Sequence, residues 1–369
     1  MMKILYDHQI LSWQQYGGVS RYFYEIANQL ADIEGQEVEI FAPLYINEYF
    51  RNGGKVRPQG VRIPRLPRMA RFVELVNSTA SRLLVRPRRD VDIFHETYYS
   101  MKSNCPSSAK RIITVYDMIH ERFSSIYPED DSTRSVKALA VERADHVICI
   151  SEQTRQDLIE LLGVDPAKTS VVHLGFALTS PGKAVLKADT HTRPFLFYVG
   201  GRWGYKNFEG LLQAYAASPK LKNNFDLICF GGGEFTTNEK ELVQRLSLSM
   251  ESIRQVSGDD EMLAGYYKSA SAFIYPSLYE GFGIPPLEAM GFDCPVVCSD
   301  VSSIPEVVGE AAEMFDPYKP DSIRMAVERV VYDDSLREVL ISRGQERIKF
   351  FSWERCAQET LDVYHRVLS

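Results

Sequence analysis

Ten short apolar runs, with helical patterns between them, constrain this chain more than any other feature. In the first half they are KILYDH, VEIFAP, DIFHETYY, RIITVYD, HVICIS and SVVHLG; in the second, FLFYVGG, FDLICFGGG, SAFIYPS and CPVVCSD. Strands of that length, separated by helices of about ten residues or more, describe βα units, and such units in series build parallel sheets. The two series are divided by FALTSPGKAVLKADTHTRP, residues 176–194, which has no clear period and many turn formers. At 369 residues the chain is also too long for one ordinary core. The expectation is an α/β chain of two doubly wound parallel-sheet domains with 176–194 as linker. In such sheets ligands sit outside the carboxyl ends of the strands, and a cleft between two of them is the natural active site.

Several classes are disfavoured at once. No apolar run approaches the length of a membrane span, and MMKILYDHQI runs straight into a strand pattern instead of a signal-peptide core. Cysteines 105, 149, 229, 294, 298 and 356 are scattered, several inside apolar strands, which reads as buried, reduced thiols in a cytoplasmic protein. Cys294 and Cys298 are four apart, but CPVVC reads as a core strand with no nearby His ligands. No internal repeat or low-complexity tract is visible.

The stretch YEGFGIPPLEAM, 279–290, carries the chemistry. SAFIYPS before it is a strand, and Pro285-Pro286 suits the first turn of a helix. Glu280 then lies in the strand-to-helix loop and Glu288 near the helix start. Gly281 and Gly283 let backbone N–H groups approach a ligand, and a helix N-terminus favours an anion such as phosphate. Carboxylates repel phosphate but accept hydrogen bonds from neutral hydroxyls. A ligand with a charged middle and hydroxylated ends fits both demands: a nucleotide diphosphate sugar. The plainer reading is that Glu288 complements its helix dipole and Glu280 is a solvated loop residue.

The longer segment PSLYEGFGIPPLEAMGFDCPVVCSDVSSIPEVVGEAAEMFDP, 276–317, resembles the donor-binding segment of family 4 retaining glycosyltransferases of the GT-B fold. FYVGGRWGYKNFEGLLQAY is similar to the family's strand, phosphate loop and Lys-Asn helix start. ISEQTRQDLIE resembles its Ser-Glu helix, YGGVSRYFYEIANQL its N-terminal glycine loop, and FSWERCAQETLDVYHRVL its returning terminal helix. The resemblance implies two Rossmann-like domains facing across a cleft. Residues 1–175 with 352–369 would hold the acceptor, and 195–351 the donor.

Carried over position by position, the resemblance puts Glu280 on the donor-sugar hydroxyls, with the amides of Phe282, Gly283 and Ile284 near sugar and phosphates. Glu288 would take the ribose hydroxyls. Lys206 would neutralise the diphosphate leaving group with Arg202 as second cation, although both could be plain exposed loop cations. Gly17 and Gly18 would bring a helix N-terminus against the donor, or form only a tight turn. CFGGGE, 229–234, would support the nucleotide side or be a plain turn. Where the family often has His-Asp, this chain has Tyr116-Asp117, with His120 one turn later. Asp117 is grouped with the catalytic residues, and Tyr116 and His120 are candidates for sugar or acceptor contact. Tyr116 is no proton shuttle near neutral pH, and His120 also reads as a surface or capping residue. DVD, 90–92, resembles the Asp-x-Asp metal motif of the other large glycosyltransferase fold, but it reads as solvated acids where a strand begins. With Lys and Arg supplying positive charge, neither metal nor cofactor is implied. The implied activity is metal-independent, retaining transfer to a glycan or lipid-linked saccharide, and mannosyl-transferring members favour GDP-mannose. Two rivals stay open: a nucleotide-sugar epimerase on the same fold, and a non-enzymatic carbohydrate-binding protein.

One charge block stands apart. Residues 51–90 hold eleven Arg or Lys against Glu74 and Asp90, a surplus of +9, which leaves −16 for the rest of a chain whose net charge is −7. Within it, apolar residues 69, 72, 73, 76, 80, 83 and 84 follow helical spacing, flanked or interrupted by arginines 65, 68, 71, 82, 86, 88 and 89. A basic amphipathic helix suits an anionic membrane surface, at the inner face of the plasma membrane for a cytoplasmic protein. The stripe itself reads as core-facing. Nucleic acid is not an expected partner, because the chain is acidic and has no recognisable binding module.

Overall fold

The structure, a computed structural model, describes residues 1–51, 53–66, 68–177 and 193–369. Most of the linker expected at 176–194 lies outside the described residues. The chain divides into two compact units, Met1–Gly175 with Ser352–Ser369, and Phe176–Phe351.

The first unit contains seven parallel strands: β1 (Met2–Tyr6), β2 (Gln36–Tyr45), β3 (Gln59–Arg62), β4 (Ile93–Glu96), β5 (Lys110–Val115), β6 (His146–Cys149) and β7 (Thr169–Val171). Their order across the sheet is β3-β2-β1-β4-β5-β6-β7. The second unit contains β8 (Phe195–Val199), β9 (Asp226–Phe230), β10 (Ile253–Val256), β11 (Ala272–Tyr275), β12 (Val296–Ser299) and β13 (Ala312–Phe315), in the order β10-β9-β8-β11-β12-β13. All pairings are parallel, with Ile4 opposite Ile93 in one sheet and Phe197 opposite Phe273 in the other. Strands β4, β9 and β11 are buried at every position, which is why they read as unbroken apolar runs. The expected α/β fold with two doubly wound sheets is correct.

Each sheet reverses its winding once, between β1 and β4 and between β8 and β11. The loops leaving those strands at their carboxyl ends form the crevice in which doubly wound sheets hold ligands. The terminal helix Trp353–Leu368 belongs to the first unit. The Ser352 hydroxyl caps it by accepting from Arg355 N at 3.1 Å. Near its end the Tyr364 hydroxyl sits 3.1 Å from that of Tyr6 and 2.6 Å from His95 Nδ1. Burial lowers the His95 pKa to about 3, so the ring is neutral and serves as a hydrogen-bonding strut.

The basic segment departs from expectation. Its helix runs Ala70–Ala80 and continues as one wider π turn, Ser81–Val85. Of the apolar stripe only Val73 is fully buried, while Phe72, Leu83 and Leu84 are more than half exposed, as is Leu75. The inward face is Val73, Asn77, Ser81 and Val85. Asn77 explains the choice: its amide accepts from Leu44 N and donates to Leu44 O and Ser12 Oγ, each at 2.8 Å. One buried amide with its hydrogen bonds made outweighs a count of apolar positions, and the π turn shifts the register behind it. Arg88 pairs with Glu39 and Asp90. Among the described residues, no ion pair forms at Arg65, Arg68, Arg71, Arg82, Arg86 or Arg89, all exposed.

Candidate active site

The switch point of the second sheet gathers most of the predicted donor residues. After β8 the chain makes one tight turn, Gly204–Lys206, and enters the helix Phe208–Ala217 through Asn207. Asn207 adopts a left-handed conformation, φ 54°, and its amide donates to Pro276 O at 3.1 Å and Pro317 O at 2.8 Å. Leu278 N donates to Tyr205 O at 2.7 Å. These bonds fasten the loop after β8 to the loop after β11. Across that seam Lys206 Nζ donates to Glu280 Oε1 at 2.7 Å, with Tyr205 and Tyr275 rings within 6 Å of the ammonium.

Glu280 is not a solvated loop residue; it is buried. Its backbone N–H donates to Ser302 Oγ, and its carbonyl accepts from the Ser302 and Ser303 hydroxyls at 2.7 and 2.9 Å. The one Ser303 hydroxyl proton is shared with Phe282 O, also at 2.9 Å. Gly283 starts the helix Ile284–Gly291 at φ 111°, a conformation that side-chain-bearing residues rarely adopt. Glu288 sits in the second turn of that helix, later than expected, and accepts from the Tyr267 hydroxyl at 3.3 Å. Burial and the nearby Glu288 charge hold the Tyr267 phenol well above its ordinary pKa, so it stays a donor. An ammonium, a carboxylate and a helix N-terminus therefore gather at the switch point, with a second carboxylate in the second turn of that helix, and supply both polarities that a charged, hydroxylated ligand needs.

Arg202 is set differently from Lys206. Expected as a second cation beside Lys206, its side chain is only 2% exposed and turns into the glycine loop. Its Nε donates to Glu239 Oε1 at 2.7 Å, and its Nη atoms donate to the carbonyls of Gly231, Gly233 and Glu234 at 2.9–3.1 Å. Gly231, Gly232 and Gly233 all have φ between 70° and 81°, and a Cβ at Gly232 would lie 2.7 Å from Arg202 Nη1. The run CFGGGE wraps a guanidinium. That is more than a plain turn, and Arg202 is no exposed loop cation.

The remaining predicted residues lie in the first unit. Gly17 caps the helix Gly18–Leu30. A Cβ at Gly18 would meet nothing within 4 Å, so packing does not demand that glycine. Tyr116 is buried, its ring 5.9 Å from Tyr22, and burial pushes its phenol far above the neutral range. Asp117 Oδ1 accepts from Ile119 N at 3.0 Å. The His120 ring stacks on Tyr127 at 4.0 Å and lies 3.7 Å from Asp131, inside the short helix Ile119–Arg122, so it caps nothing. Sequence reading missed Lys137, buried to 1%, which donates to Asp117 O at 2.9 Å and Glu121 Oε2 at 2.8 Å. One lysine in an otherwise ordinary helix pattern gave no signal. Asp90 and Asp92 serve structure: Asp90 pairs with Arg88 and Lys3, and Asp92 accepts from Lys3 N at 2.8 Å.

Two doubly wound sheets, with a Lys–Glu pair and a glycine-started helix at the second switch point, define the GT-B class. The chain is similar over 99% of its length to sucrose-phosphate synthase from Thermosynechococcus elongatus, which it covers to 99%, with a TM-score of 0.74 and 21% identity. It covers 99% of Anabaena Alr3699/HepE in complex with UDP and glucose, over 98% of its own length, with a TM-score of 0.71 and 17% identity. Residues 16–180 match Glycosyltransferase Family 4, and residues 187–347 match Glycosyl transferases group 1. O-antigen chain mannosyltransferase B of Escherichia coli is 30% identical over 98% of this chain and 99% of its own. The chain belongs to glycosyltransferase family 4, and it is a glycosyltransferase.

Proposed function

We propose that the protein is a retaining mannosyltransferase of polysaccharide or glycolipid synthesis, taking mannose from GDP-mannose to a glycan or lipid-linked saccharide hydroxyl. The observation that carries this reading is the Lys206–Glu280 pair at 2.7 Å on the switch point of the second sheet. In the proposed complex Lys206 faces the diphosphate and stabilises the charge that develops as the sugar departs. Glu280 receives donor-sugar hydroxyls, and Glu288, oriented by Tyr267, receives the ribose. The amides of Phe282, Gly283 and Ile284 take the phosphates at the helix start. Arg202 acts indirectly, by holding the glycine loop. Lys206 supplies positive charge without a metal ion. The acceptor belongs to the first unit, where Tyr116 and His120 are read as sugar or acceptor contacts and Asp117 as a catalytic residue, while Gly17 and Gly18 bring the start of the helix Gly18–Leu30 against the donor. The leaving phosphate helps to deprotonate the acceptor hydroxyl, since no side chain stands out as an enzymatic nucleophile. The mannose assignment is supported by the mannosyltransferase relative.

A UDP-sugar donor is the second reading, supported by the UDP complex of the Anabaena protein. Thermal shift against GDP-mannose and a UDP-sugar panel separates the two. Product NMR then reads the anomeric configuration: an inverted linkage removes the retaining assignment. Activity that survives exhaustive chelation supports metal independence, and activity lost to EDTA but restored by a divalent ion overturns it.

The basic helix is read as a membrane-facing element of a cytoplasmic, peripheral enzyme. Its exposed Phe72, Leu75, Leu83 and Leu84 lie among arginines that form no ion pair among the described residues, a pattern that suits anionic headgroups over acyl chains.

A further inference from the structure

The first unit contains a cavity of about 400 Å³ that none of the candidate donor or catalytic residues lines. It lies at the carboxyl ends of β1 and β4, the switch point of its sheet. Phe41, Val85 and Phe94 give it an apolar floor, and the basic helix closes one side through Ser78, Ser81 and the half-exposed Glu74. Two features point to a ligand. The His8 ring is only 4% exposed, yet among the described residues its Nε2 makes no hydrogen bond within 3.5 Å and has only the Glu74 carboxylate near it, at 3.8 Å. Trp13, at the rim, is 58% exposed, with Tyr98 beside it at 5.6 Å.

The charge balance decides the ligand class. Glu74 and Asp7 face the cavity against one cation, Lys102, which disfavours a phosphate. Asp7 is already engaged, accepting from Thr97 N at 2.9 Å and Gln9 Nε2 at 2.7 Å. Glu74 and His8 are the groups placed to meet hydroxyls, a carboxylate accepting and an imidazole serving as donor or acceptor. An exposed indole offers a flat apolar face to the C–H side of a pyranose ring. A floor of hydrocarbon, a few convergent polar groups and this volume suit a small neutral polyol.

We propose that this cavity is a saccharide subsite that seats a terminal, uncharged sugar of the acceptor between Trp13 and the His8–Glu74 pair. The inference rests on the glycosyltransferase reading and deepens it. The same helix then shows Glu74 to the sugar and Phe72 and Leu75 outward, an arrangement suited to an acceptor presented from a lipid surface.

The test is direct binding, with methyl α-D-mannopyranoside, methyl α-D-glucopyranoside and methyl α-D-galactopyranoside as probes, followed by calorimetry and tryptophan emission. The wild type should saturate with at least one of them. Trp13→Ala and Glu74→Gln should each weaken that binding tenfold or more, with the melting temperature and the affinity for GDP and UDP unchanged. The proposal is overturned if the wild type saturates with none of the three, or if both variants bind as the wild type does. Nucleotide binding and sugar transfer that persist while the variants bind sugar normally would sink the subsite alone. A wild type that binds the sugar in this cavity but no nucleoside diphosphate would sink the transfer reading and leave the subsite standing.

Discussion

The two regions richest in informative cations handle charge in opposite ways. In the second unit, Arg202 and Lys206 are both engaged, one with Glu239 and three or more carbonyls, the other with Glu280. In the first, six arginines around the helix Ala70–Ala80 are exposed and make no ion pair among the described residues, beside large apolar side chains turned outward. Paired cations fix backbone and hold a charge at one point. Unpaired, exposed ones form a diffuse field, suited to a surface more than to a single ligand. The same residue types thus build a rigid pocket in one unit and a face in the other.

The largest effect that separates the two is on stability. Arg202→Met removes one partner of a buried ion pair and leaves several carbonyls without a donor, which costs about 3–5 kcal/mol. Chemical denaturation of the apo protein should show that loss, whereas Arg82→Met, on the exposed face, should move stability by less than about 0.5 kcal/mol. Equal costs at the two positions would erase the distinction.

Next comes the open face. Exposed arginines near anionic headgroups contribute about 1 kcal/mol each, so changing Arg65, Arg68 and Arg71 to Gln should weaken partitioning by roughly 3 kcal/mol, more than a hundredfold. Wild type should cosediment with anionic vesicles at low salt and release as salt rises, while the triple variant stays soluble. If wild type ignores such vesicles, the arginines face a glycan or only water, and the membrane proposal fails.

The contrast also explains what the sequence disclosed. The buried strands were legible because parallel strands covered on both faces read as apolar runs, and β4, β9 and β11 are buried at every position. β3, β10 and β13 went unread. Each is an edge strand, paired on one side only; β3 is exposed at all four residues and β10 carries Arg254 and Gln255. The Glu280–Glu288 segment was legible because turn glycines, a Pro-Pro helix start and two carboxylates converge within twelve residues. The Arg202–Glu239 pair was not legible, because sequence proximity to Lys206 says nothing about a carboxylate thirty-seven positions away. The basic stripe was assigned the wrong face for a similar reason. Asn77 looks polar and outward in sequence, but three hydrogen bonds across to β2 and Ser12 draw it in.

A third expectation concerns charge in the engaged set. Lys206→Ala should lower turnover on the order of a hundredfold, the weight of one transition-state charge partner. Lys206→Arg should recover part of the loss if charge is what matters. The melting temperature distinguishes a lost charge from a lost fold, because Glu280 keeps its serine anchors in either variant. Near-normal turnover in Lys206→Ala would mean that the pair is structural, as Arg202–Glu239 is.

The smallest and most discriminating effect lies within the engaged set itself. Glu280 and Glu288 are eight residues apart, one held by Ser302, Ser303 and Lys206, the other by Tyr267 on a neighbouring helix. If Glu288 receives the ribose, Glu288→Gln should weaken the bare nucleoside diphosphate and the intact donor alike. A loss of about tenfold corresponds to one hydrogen bond to a charged group, about 1.5 kcal/mol. Glu280→Gln should leave the bare nucleotide within about twofold and weaken the intact donor by about tenfold, because only the donor brings sugar hydroxyls to it. Removing its charge also frees Lys206 from its partner, so the nucleotide alone could bind slightly tighter, which reinforces the asymmetry. Calorimetry on both variants with both ligands decides it. The reverse ranking would exchange the two assignments, and equal losses everywhere would reduce both carboxylates to supports for the backbone.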